Sequence, residues 1–451
     1  MNLYLKGARI VDPSALTGRA IGHAIGRSAG ANETPVLIKT KVLYDIYIRN
    51  GKIAFITPQG KEPIPAAAKI IDLAGKIVTP GLIDMHTHLR EPGEEYKETI
   101  ATGCLAAVSG GFTAIACMPN TKPVNDNKSV TEYIMQKAQE AGLATVYPIG
   151  AISNGLKGET LAEFGDMKTA GIVAVTDDGR PVMNGELMRR ALEYARNFDL
   201  PVISHCEELT LCSGGVMNEG VVSTQLGLPG IPAVAEEVMI FREIRLAALT
   251  GGSVHIAHVS ARGSVDLIRQ AKASRVNVTA ETAPHYFSLT EEAVTGYDTN
   301  AKMNPPLRTK EDVAAVIGGL KDGTIDAIAS DHAPHSALEK DVEFNMAANG
   351  IIGLETILPL TLKLVHAGHL SLYEAIAKLS ANPARILRLE IPSIQIGKRA
   401  DLTIIDPDRK FIVDVHKFQS RSKNSPFHGW ELKGKAVMTI INGRIVFDDL
   451  N

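Results

Sequence analysis

Residues 82–93 read Leu-Ile-Asp-Met-His-Thr-His-Leu-Arg-Glu-Pro-Gly, and this stretch decides how the rest of the chain is interpreted. A short apolar run ends in two histidines at alternate positions, His86 and His88, with Asp84 two residues earlier. Side chains two residues apart in a strand point to the same face, so we expect both imidazoles and Asp84 to project together. Two such imidazoles can hold one metal ion. An isolated His-x-His is equally compatible with ordinary polar residues at a strand end, so the wider pattern has to decide.

Short β-rich apolar runs recur along the chain from about residue 77 onward. They alternate with longer segments of helical periodicity, such as Glu186–Asn197 and Ala235–Leu249, which is typical of a parallel α/β fold. Eight such runs predict a TIM-type (β/α)8 barrel with the helices packed on its outside. The eight runs are Leu82–His88, Thr113–Asn120, Thr145–Ile152, Ile172–Asp178, Pro201–Glu207, Ser253–Ser260, Val276–Tyr286 and Ala327–His335.

The two ends of the chain predict a second, smaller domain, because strand-like segments there are not separated by long helices. These segments and their turn signals are Ala8–Asp12, Val42–Ile56, Asp401–Ile405 and Val437–Phe447, with Asn50-Gly51, Pro407-Asp408 and Asn442-Gly443 as turns. We therefore expect residues 1–76 and 391–451 to form one composite β-sandwich beside a barrel of residues 77–390. The Gly- and Ser-rich stretch near 14–35 is expected to be an inserted loop.

Composition favours a small-molecule ligand over a nucleic acid or a membrane. The 451 residues carry a formal net charge of -3, and no long basic run gives an electrostatic footprint for either partner. The N-terminal residues lack the pattern of an export signal, and no apolar run approaches membrane-spanning length. Four cysteines without a Cys-x-x-Cys pair do not predict a disulfide framework. We expect a cytoplasmic protein.

Metal-capable side chains recur where the predicted barrel strands end, which is where such barrels build their active sites. Besides the first histidine pair, these residues are Asp177, Asp178, His205, His258, Asp331 and His332. Four imidazoles and two carboxylates suit a pair of divalent ions, zinc first, with manganese, cobalt or iron as alternatives. One carboxylate must then bridge the ions, and such a pair activates water and polarises a carbonyl. Asp331 is the candidate general acid and base.

Four further polar residues are candidates for holding a substrate: Arg90, Asn120, Asn304 and His335. A guanidinium with amides and an imidazole at one mouth would bind a small carboxylate. The asparagines stand beside prolines and are equally able to cap turns. Arg90 also has a plain alternative, an ion pair with Glu91 or Glu94.

At this point the motifs resemble those of the class I dihydroorotases of the amidohydrolase superfamily, nearly from end to end. The signatures are Asp84-Met-His-Thr-His-Leu-Arg-Glu-Pro-Gly93, Met118-Pro-Asn-Thr121, Thr176-Asp-Asp-Gly179, His205-Cys-Glu, His258-Val-Ser, Asn304-Pro-Pro-Leu-Arg308 and Ser330-Asp-His-Ala-Pro-His335. The first and last of these are the most specific. The resemblance implies a (β/α)8 barrel with a composite β-sandwich built from both termini.

The resemblance also implies the ligand sets. His86, His88 and Asp331 would hold one ion and His205 and His258 the other, with Asp178 as the bridge; strand alternation alone leaves Asp177 and Asp178 open. In the related hydantoinases, dihydropyrimidinases and many allantoinases a carboxylated lysine on the fourth strand bridges the ions. The fourth run here has no lysine, which favours the dihydroorotase alternative.

The activity implied is the reversible ring closure of N-carbamoyl-L-aspartate to L-dihydroorotate in pyrimidine synthesis. A hydroxide activated by the two ions would attack the ring carbonyl, and Asp331 would carry its proton to the ring nitrogen. Arg90, Asn120 and His335 would hold the free carboxylate of the substrate, and Asn304 a polar group of the ring. The loop Ser336–Ile352 is expected to close over the substrate.

Two alternatives remain. Another cyclic amidase, an allantoinase or hydantoinase, would share the ligands but would gain little from Arg90, since a buried unpaired guanidinium is costly beside a neutral ring. A non-catalytic subunit that scaffolds an aspartate transcarbamoylase would have lost metal ligands, whereas all six positions are filled here. A homodimer and a transcarbamoylase partner are both compatible with the sequence. The sequence also leaves open which metal is bound and which direction of the reaction is preferred.

Overall fold

The structure, a computed structural model, describes residues 2–14 and 42–450. The loop expected near 14–35 therefore lies, except for its first residue, outside the described residues. The strands are β1 (Leu3–Ile10), β2 (Tyr44–Arg49), β3 (Lys52–Pro58), β4 (Lys69–Asp72), β5 (Ile77–Pro80), β6 (Leu82–Thr87), β7 (Phe112–Cys117), β8 (Thr145–Pro148), β9 (Val175–Thr176), β10 (Val202–Ser204), β11 (Met217–Asn218), β12 (Gly230–Ile231), β13 (Val254–Ile256), β14 (Val278–Thr282), β15 (Ala327–Ile328), β16 (Leu402–Ile412), β17 (Glu431–Ile441) and β18 (Arg444–Asp448).

The helices lie mostly between the barrel strands. They are α1 (Ile100–Ser109), α2 (Lys128–Ala141), α3 (Phe164–Ala170), α4 (Gly185–Arg196), α5 (Leu209–Cys212), α6 (Val221–Leu226), α7 (Val234–Thr250), α8 (Arg262–Ala273), α9 (Pro284–Ser288), α10 (Lys310–Asp322), α11 (Ala337–Lys340), α12 (Ile357–His366), α13 (Leu372–Leu379) and α14 (Ala381–Ile386). Helix α4 illustrates how the sequence sets the start of a helix. The side chain of Asn184 accepts hydrogen bonds from the first free backbone N–H groups. Its buried residues recur at three- and four-residue steps and face the barrel.

Eight parallel strands form the barrel. Strands β6, β7 and β8 make one sheet, and β9, β10, β13, β14 and β15 make another. Parallel bridges from Gly150 to Val175 and from Thr87 to His332 join the two sheets at both edges, which gives a ring of eight strands. The TIM-type barrel expected from the sequence is confirmed.

The barrel strands alternate between two cores. Val202 and Ile256 belong to the large apolar cluster that includes the surrounding helices, whereas Ile203 and Ala257 belong to a smaller cluster inside the ring. The smaller cluster also contains Leu387, which follows α14. This period of two is what a strand buried on both faces requires.

Both ends of the chain meet in one eight-stranded sheet, ordered β18-β17-β16-β5-β1-β2-β3, with β4 paired to β1. The first half of β1 pairs with β4 and its last two residues pair with β5, so β1 belongs to both parts of the sheet. Apolar side chains from both chain ends, such as Leu5, Ile46 and Ile404, enclose a second core. A composite β domain from both termini is therefore present, while the exact domain bounds stay a prediction.

Several predicted strand bounds were wrong at the end that faces the site. The fourth run is a strand only over Val175–Thr176, the eighth only over Ala327–Ile328, and the seventh ends at Thr282 before helix α9.

The turn expected at Pro407-Asp408 was also wrong. Strand β16 continues through it, and the pairing register with β17 shifts between Asp406 and Lys410. A bulge of this kind leaves a proline, which has no N–H to donate, outside the ladder.

Within the described part of the chain, no helix is both long and apolar enough to cross a membrane.

Candidate metal centre

Six side chains from five barrel strands converge at the carboxyl ends of those strands, and all six are buried. They are His86 and His88 at the end of β6, Asp178 after β9, His205 after β10, His258 after β13 and Asp331 after β15. These are the six residues that the sequence predicted as metal ligands, and the structure brings them together.

The first group of possible ligand atoms comes from His86, His88, Asp178 and Asp331. The Nε2 atom of His86 lies 3.5 Å from Asp178 Oδ1 and 3.4 Å from Asp331 Oδ1. The Nε2 atom of His88 lies 3.5 Å from Asp178 Oδ2 and 3.2 Å from Asp331 Oδ1. Ligand atoms about 2.0–2.1 Å from a tetrahedral ion are about 3.3 Å apart, so these spacings suit one ion.

The second group comes from His205, His258 and the same carboxylate of Asp178. His205 Nδ1 and His258 Nε2 face each other at 2.8 Å, and they lie 3.8 Å and 3.6 Å from Asp178 Oδ1. Asp178 is thus shared by two groups of three residues whose ligand atoms all lie within 4.8 Å of one another. A carboxylate in this position can bridge two ions.

The chemistry of the donor set fits divalent cations. Among the described residues, the buried atoms His86 Nε2 and Asp178 Oδ1 have no hydrogen-bond partner, which is costly unless something else satisfies them. Burial alone would lower the pKa of His86 and raise that of Asp178, yet the mutual attraction of these groups holds the first well above and the second well below its ordinary value. The carboxylates of the cluster therefore stabilise positive charge on the groups beside them, as the ligands of a cation site do.

Neighbouring carboxylates in the same motifs have other partners. Asp177 accepts hydrogen bonds from the backbone N–H groups of Ile152 and Ser153 at 2.8 Å and 3.0 Å, so it fixes the loop after β8. Asp84 accepts from the N–H groups of His86 and Ser330 at 3.2 Å and 3.1 Å. Of the two aspartates that alternation left open, only Asp178 lies in the cluster.

The expectation that Asp84 projects with the imidazoles was wrong. The register between β6 and β7 shifts between Asp84 and Thr87, so the simple period of two does not hold there. Asp84 instead links the end of β6 to the segment after β15 through Ser330.

Three of the histidines have their other ring nitrogen held by a side chain. His86 Nδ1 lies 2.6 Å from Glu281 Oε1, and His88 Nδ1 lies 2.9 Å from Asn120 Oδ1. His205 Nε2 lies 3.1 Å from Glu207 Oε2. An acceptor at one ring nitrogen places the hydrogen there and leaves the lone pair of the other nitrogen for the cluster.

Glu281 and Glu207 were not predicted as site residues from the sequence. Burial would raise the pKa of each, but the histidines they contact lower it to about 2 for both. A signal existed for Glu281, since it is the one acidic residue inside the apolar run Val276–Tyr286. Glu207 follows His205 by two residues, so the strand period would have placed them on one face.

Three of the site residues adopt left-handed backbone: Arg90 with φ 64°, His258 with φ 37° and Asp331 with φ 48°. Residues other than glycine rarely adopt this region, and such strain concentrates at functional sites.

The four predicted substrate residues fall into two places. Arg90 donates from Nε to the carbonyl oxygen of Pro334 at 3.1 Å, and its Nη2 lies 3.4 Å from His335 Nε2. Asn120 instead contacts His88, and Asn304 donates from Nδ2 to Glu207 Oε2 at 3.0 Å. The structure therefore brings Arg90 and His335 together, whereas Asn120 contacts the cluster residue His88 and Asn304 contacts Glu207.

A cavity of about 510 Å³ opens beside His335. Basic residues in its wall are Lys340, Arg421 and Lys423. Burial, with Arg90 next in effect, lowers the pKa of His335 to about 3.

Two family models match the chain, "Dihydro-orotase-like" over residues 75–264 and "Amidohydrolase family" over residues 233–447. The dihydroorotase of Syntrophotalea carbinolica is 60% identical over 404 residues, which cover 90% of this chain and 94% of that protein. The dihydroorotase of Syntrophus aciditrophicus is 52% identical over 450 residues and covers 100% of both chains.

Among solved structures, the L-hydantoinase (dihydropyrimidinase) from Arthrobacter aurescens has a TM-score of 0.82 at 24% identity, covering 99% of this chain and 96% of that one. The dihydropyrimidinase from Brevibacillus agri has a TM-score of 0.78 at 21% identity, covering 100% and 95%. At these identities the likeness concerns the fold alone.

Proposed function

The chain belongs to the dihydroorotase family, and we propose that its metal centre catalyses the reversible hydrolysis of L-dihydroorotate to N-carbamoyl-L-aspartate in pyrimidine (UMP) biosynthesis. One observation carries the choice of a carboxylate substrate. Arg90 is buried, and no carboxylate of the described residues lies within ion-pair distance of its guanidinium. A buried unpaired guanidinium is costly, and a substrate carboxylate would satisfy it.

The protein is a metal-dependent hydrolase, and we assign its metal as a pair of zinc ions. His86, His88 and Asp331 would hold one ion, His205 and His258 the other, and Asp178 would bridge them. Nitrogen donors with a few carboxylate oxygens suit zinc first. When bound, such a pair supplies Lewis acidity that lowers the pKa of water and polarises a carbonyl oxygen.

Asp331 would move the proton. In hydrolysis the bond between the ring nitrogen and the carbonyl carbon breaks while water adds to that carbon, and Asp331 carries the water's proton to the nitrogen. The cluster histidines outweigh burial and hold the pKa of Asp331 below its ordinary value, so the residue starts as the base. Ring closure follows the same path in reverse.

Arg90 and His335 would receive the free carboxylate of the substrate. Asn120 uses its carbonyl oxygen on His88, which leaves its amide hydrogens for the same carboxylate. Asn304 uses its amide nitrogen on Glu207, which leaves its carbonyl oxygen for a ring N–H. The segment 336–352, which follows His335, would close over the bound ring.

A substrate panel tests the proposal. Metal-loaded protein should hydrolyse dihydroorotate far faster than dihydrouracil, hydantoin or allantoin. Arg90→Met should lower kcat/KM for dihydroorotate by about 100-fold or more, since a charged hydrogen-bonded contact in a buried site is lost. Arg190→Met, on the exposed face of α4, serves as the control and should leave the rate unchanged.

Two outcomes would contradict it. Preference for a neutral ring, with little effect of Arg90→Met, would favour the hydantoinase or allantoinase alternative. No turnover of any substrate by protein that holds both ions would favour the scaffolding alternative.

We also propose that the chain associates with a protein partner, a second copy or an aspartate transcarbamoylase. The outer face of α7 carries an exposed apolar row, Val234, Val238, Phe241 and Leu249, and exposed apolar patches of this kind mark interaction sites. Sedimentation with and without the transcarbamoylase would distinguish the two partners.

A cytoplasmic location fits the four cysteines, all buried and unpaired.

A further inference from the structure

The segment 420–425 lies between β16 and β17 in the chain, within the part that supplies the composite sheet, yet its side chains contact the barrel. Ser422 donates from Oγ to the carbonyl oxygen of Lys97 at 2.7 Å, and the N–H of Arg421 donates to Glu98 at 3.1 Å. The polar side chains Ser420, Ser422, Asn424 and Ser425 are all buried. The segment therefore inserts between barrel loops rather than covering them.

Asn424 makes the most contacts of this segment with the site. Its Oδ1 accepts from the N–H of His335 at 3.1 Å, and its Nδ2 donates to the carbonyl oxygens of Ala333 and Gly350 at 3.0 Å and 3.1 Å. Its own backbone carbonyl accepts from the N–H of Ile352 at 2.9 Å. One buried amide thus holds both ends of the segment 336–352.

The two ends that Asn424 joins fit closely. Gly350 has φ +114°, and a Cβ placed there would lie 2.5 Å from the Cβ of Ala333. His335 Nε2 lies 2.8 Å from the carbonyl oxygen of Asn349, so the ring is held from the same side. Because Arg90 donates to Pro334, whatever fixes residues 333–335 also fixes the guanidinium.

We propose that Asn424 is a positioning residue for the substrate carboxylate, acting through His335 and Arg90. The inference rests on the proposed function, since it assumes that those two residues bind the carboxylate. The part of the chain that supplies the composite sheet then also supplies a part of the substrate pocket. The metal ligands lie outside the bonds of Asn424, so the variant should keep its metal.

The test compares Asn424→Ala with Ser425→Ala. Ser425 is the adjacent buried residue, and among the described residues its hydroxyl bonds to the N–H of Phe427, two positions along the chain, and not to the barrel loops. We expect Asn424→Ala to raise the KM for dihydroorotate at least about tenfold, with a smaller change in kcat and two ions still bound, because positioning of a binding group is lost. Ser425→Ala should leave KM unchanged.

A double-mutant cycle separates positioning from general destabilisation. If Asn424 acts through His335, its substitution should change KM much less in a His335→Ala background than in the wild type. Full additivity would overturn the proposal. Should Asn424→Ala not fold, Asn424→Asp keeps the acceptor for His335 N–H and removes both donated bonds, and an unchanged KM in that variant would also overturn it. A wild-type protein that does not act on dihydroorotate would instead contradict the proposed function.

Discussion

Single hydrogen bonds decide which nitrogen His86, His88 and His205 offer to the cluster. Glu281 holds His86 through Nδ1 at 2.6 Å, and the same carboxylate lies 3.4 Å from His255. His255 itself contacts Thr279 and stays outside both ligand groups. The orientation of His86 therefore depends on a residue that cannot reach an ion held at Nε2.

Replacing Glu281 should weaken metal binding without removing a ligand. Glu281→Gln keeps the shape but loses the charge that orients His86 and increases its basicity, so metal affinity should fall about 10–100-fold. Competition with a chelator measures this. The matched control is Thr282→Val, in the same strand as Glu281. It removes a buried hydroxyl that donates to the carbonyl oxygen of Val259. An unchanged affinity in Glu281→Gln would refute the orienting role.

Replacing Asp331 should affect turnover more than folding. Asp331→Asn cannot accept the proton, so kcat should drop by about 100-fold or more, while circular dichroism stays that of the wild type. The assay should use protein with its metal content measured, since Asp331 is also a proposed ligand. Near-normal turnover with both ions bound would contradict the role in proton transfer.

At the scale of elements, the segment after the last barrel strand is held by a lysine. Lys340, at the end of α11, donates from Nζ to the carbonyl oxygens of Thr299, Lys302 and Ala348 at 2.9, 3.3 and 2.7 Å. The bonds to Thr299 and Lys302 connect the short helix to the loop between α9 and α10, and the bond to Ala348 connects it to the far end of its own segment.

Lys340→Met should loosen this segment, because three carbonyl oxygens lose their donor while the aliphatic stem is kept. We expect faster amide hydrogen exchange over 336–349 and a higher KM for dihydroorotate. Leu338→Ala on the same helix is the control, since Leu338 is 87% exposed. If exchange is the same in both variants, Lys340 does not hold the segment.

The elements also show what the sequence can and cannot predict. Eight strands and their helices were predicted because apolar periodicity is local, and the six ligand positions followed from motifs at strand ends. Asp84 was misplaced because a register shift is not visible in a period of two. Asn424 was missed because it contacts residues 89 and 91 positions earlier, and no local pattern encodes such a contact.

For the whole molecule, the proposed ligands lie at the ends of five strands and are spread along the chain from His86 to Asp331. Ions bound to all of them would add connections between parts of the barrel that strand pairing and packing already join. Metal binding should therefore stabilise the folded protein as a unit.

Removing the metal should lower the Tm, and adding zinc back should restore it. At a free zinc concentration 100 times Kd, one site contributes about 2.7 kcal/mol to the free energy of unfolding. Differential scanning calorimetry of metal-free and reloaded protein measures the shift. Asp178→Ala, which lacks the shared carboxylate, should show a clearly smaller difference, and equal Tm values for the two wild-type forms would contradict the prediction.

The composite sheet also sets an order of events at the ribosome. Strand β5 pairs with β16, so the part of the sheet that includes Thr79 cannot form until Thr403 has been synthesised. All six proposed ligands are already in the nascent chain at Asp331, whereas Asn424 comes 93 residues later (424 − 331). At about 5–20 residues per second this gap is roughly 5–20 s. The nascent chain thus contains its proposed metal ligands before it contains Asn424, the residue proposed to position the groups that bind the carboxylate.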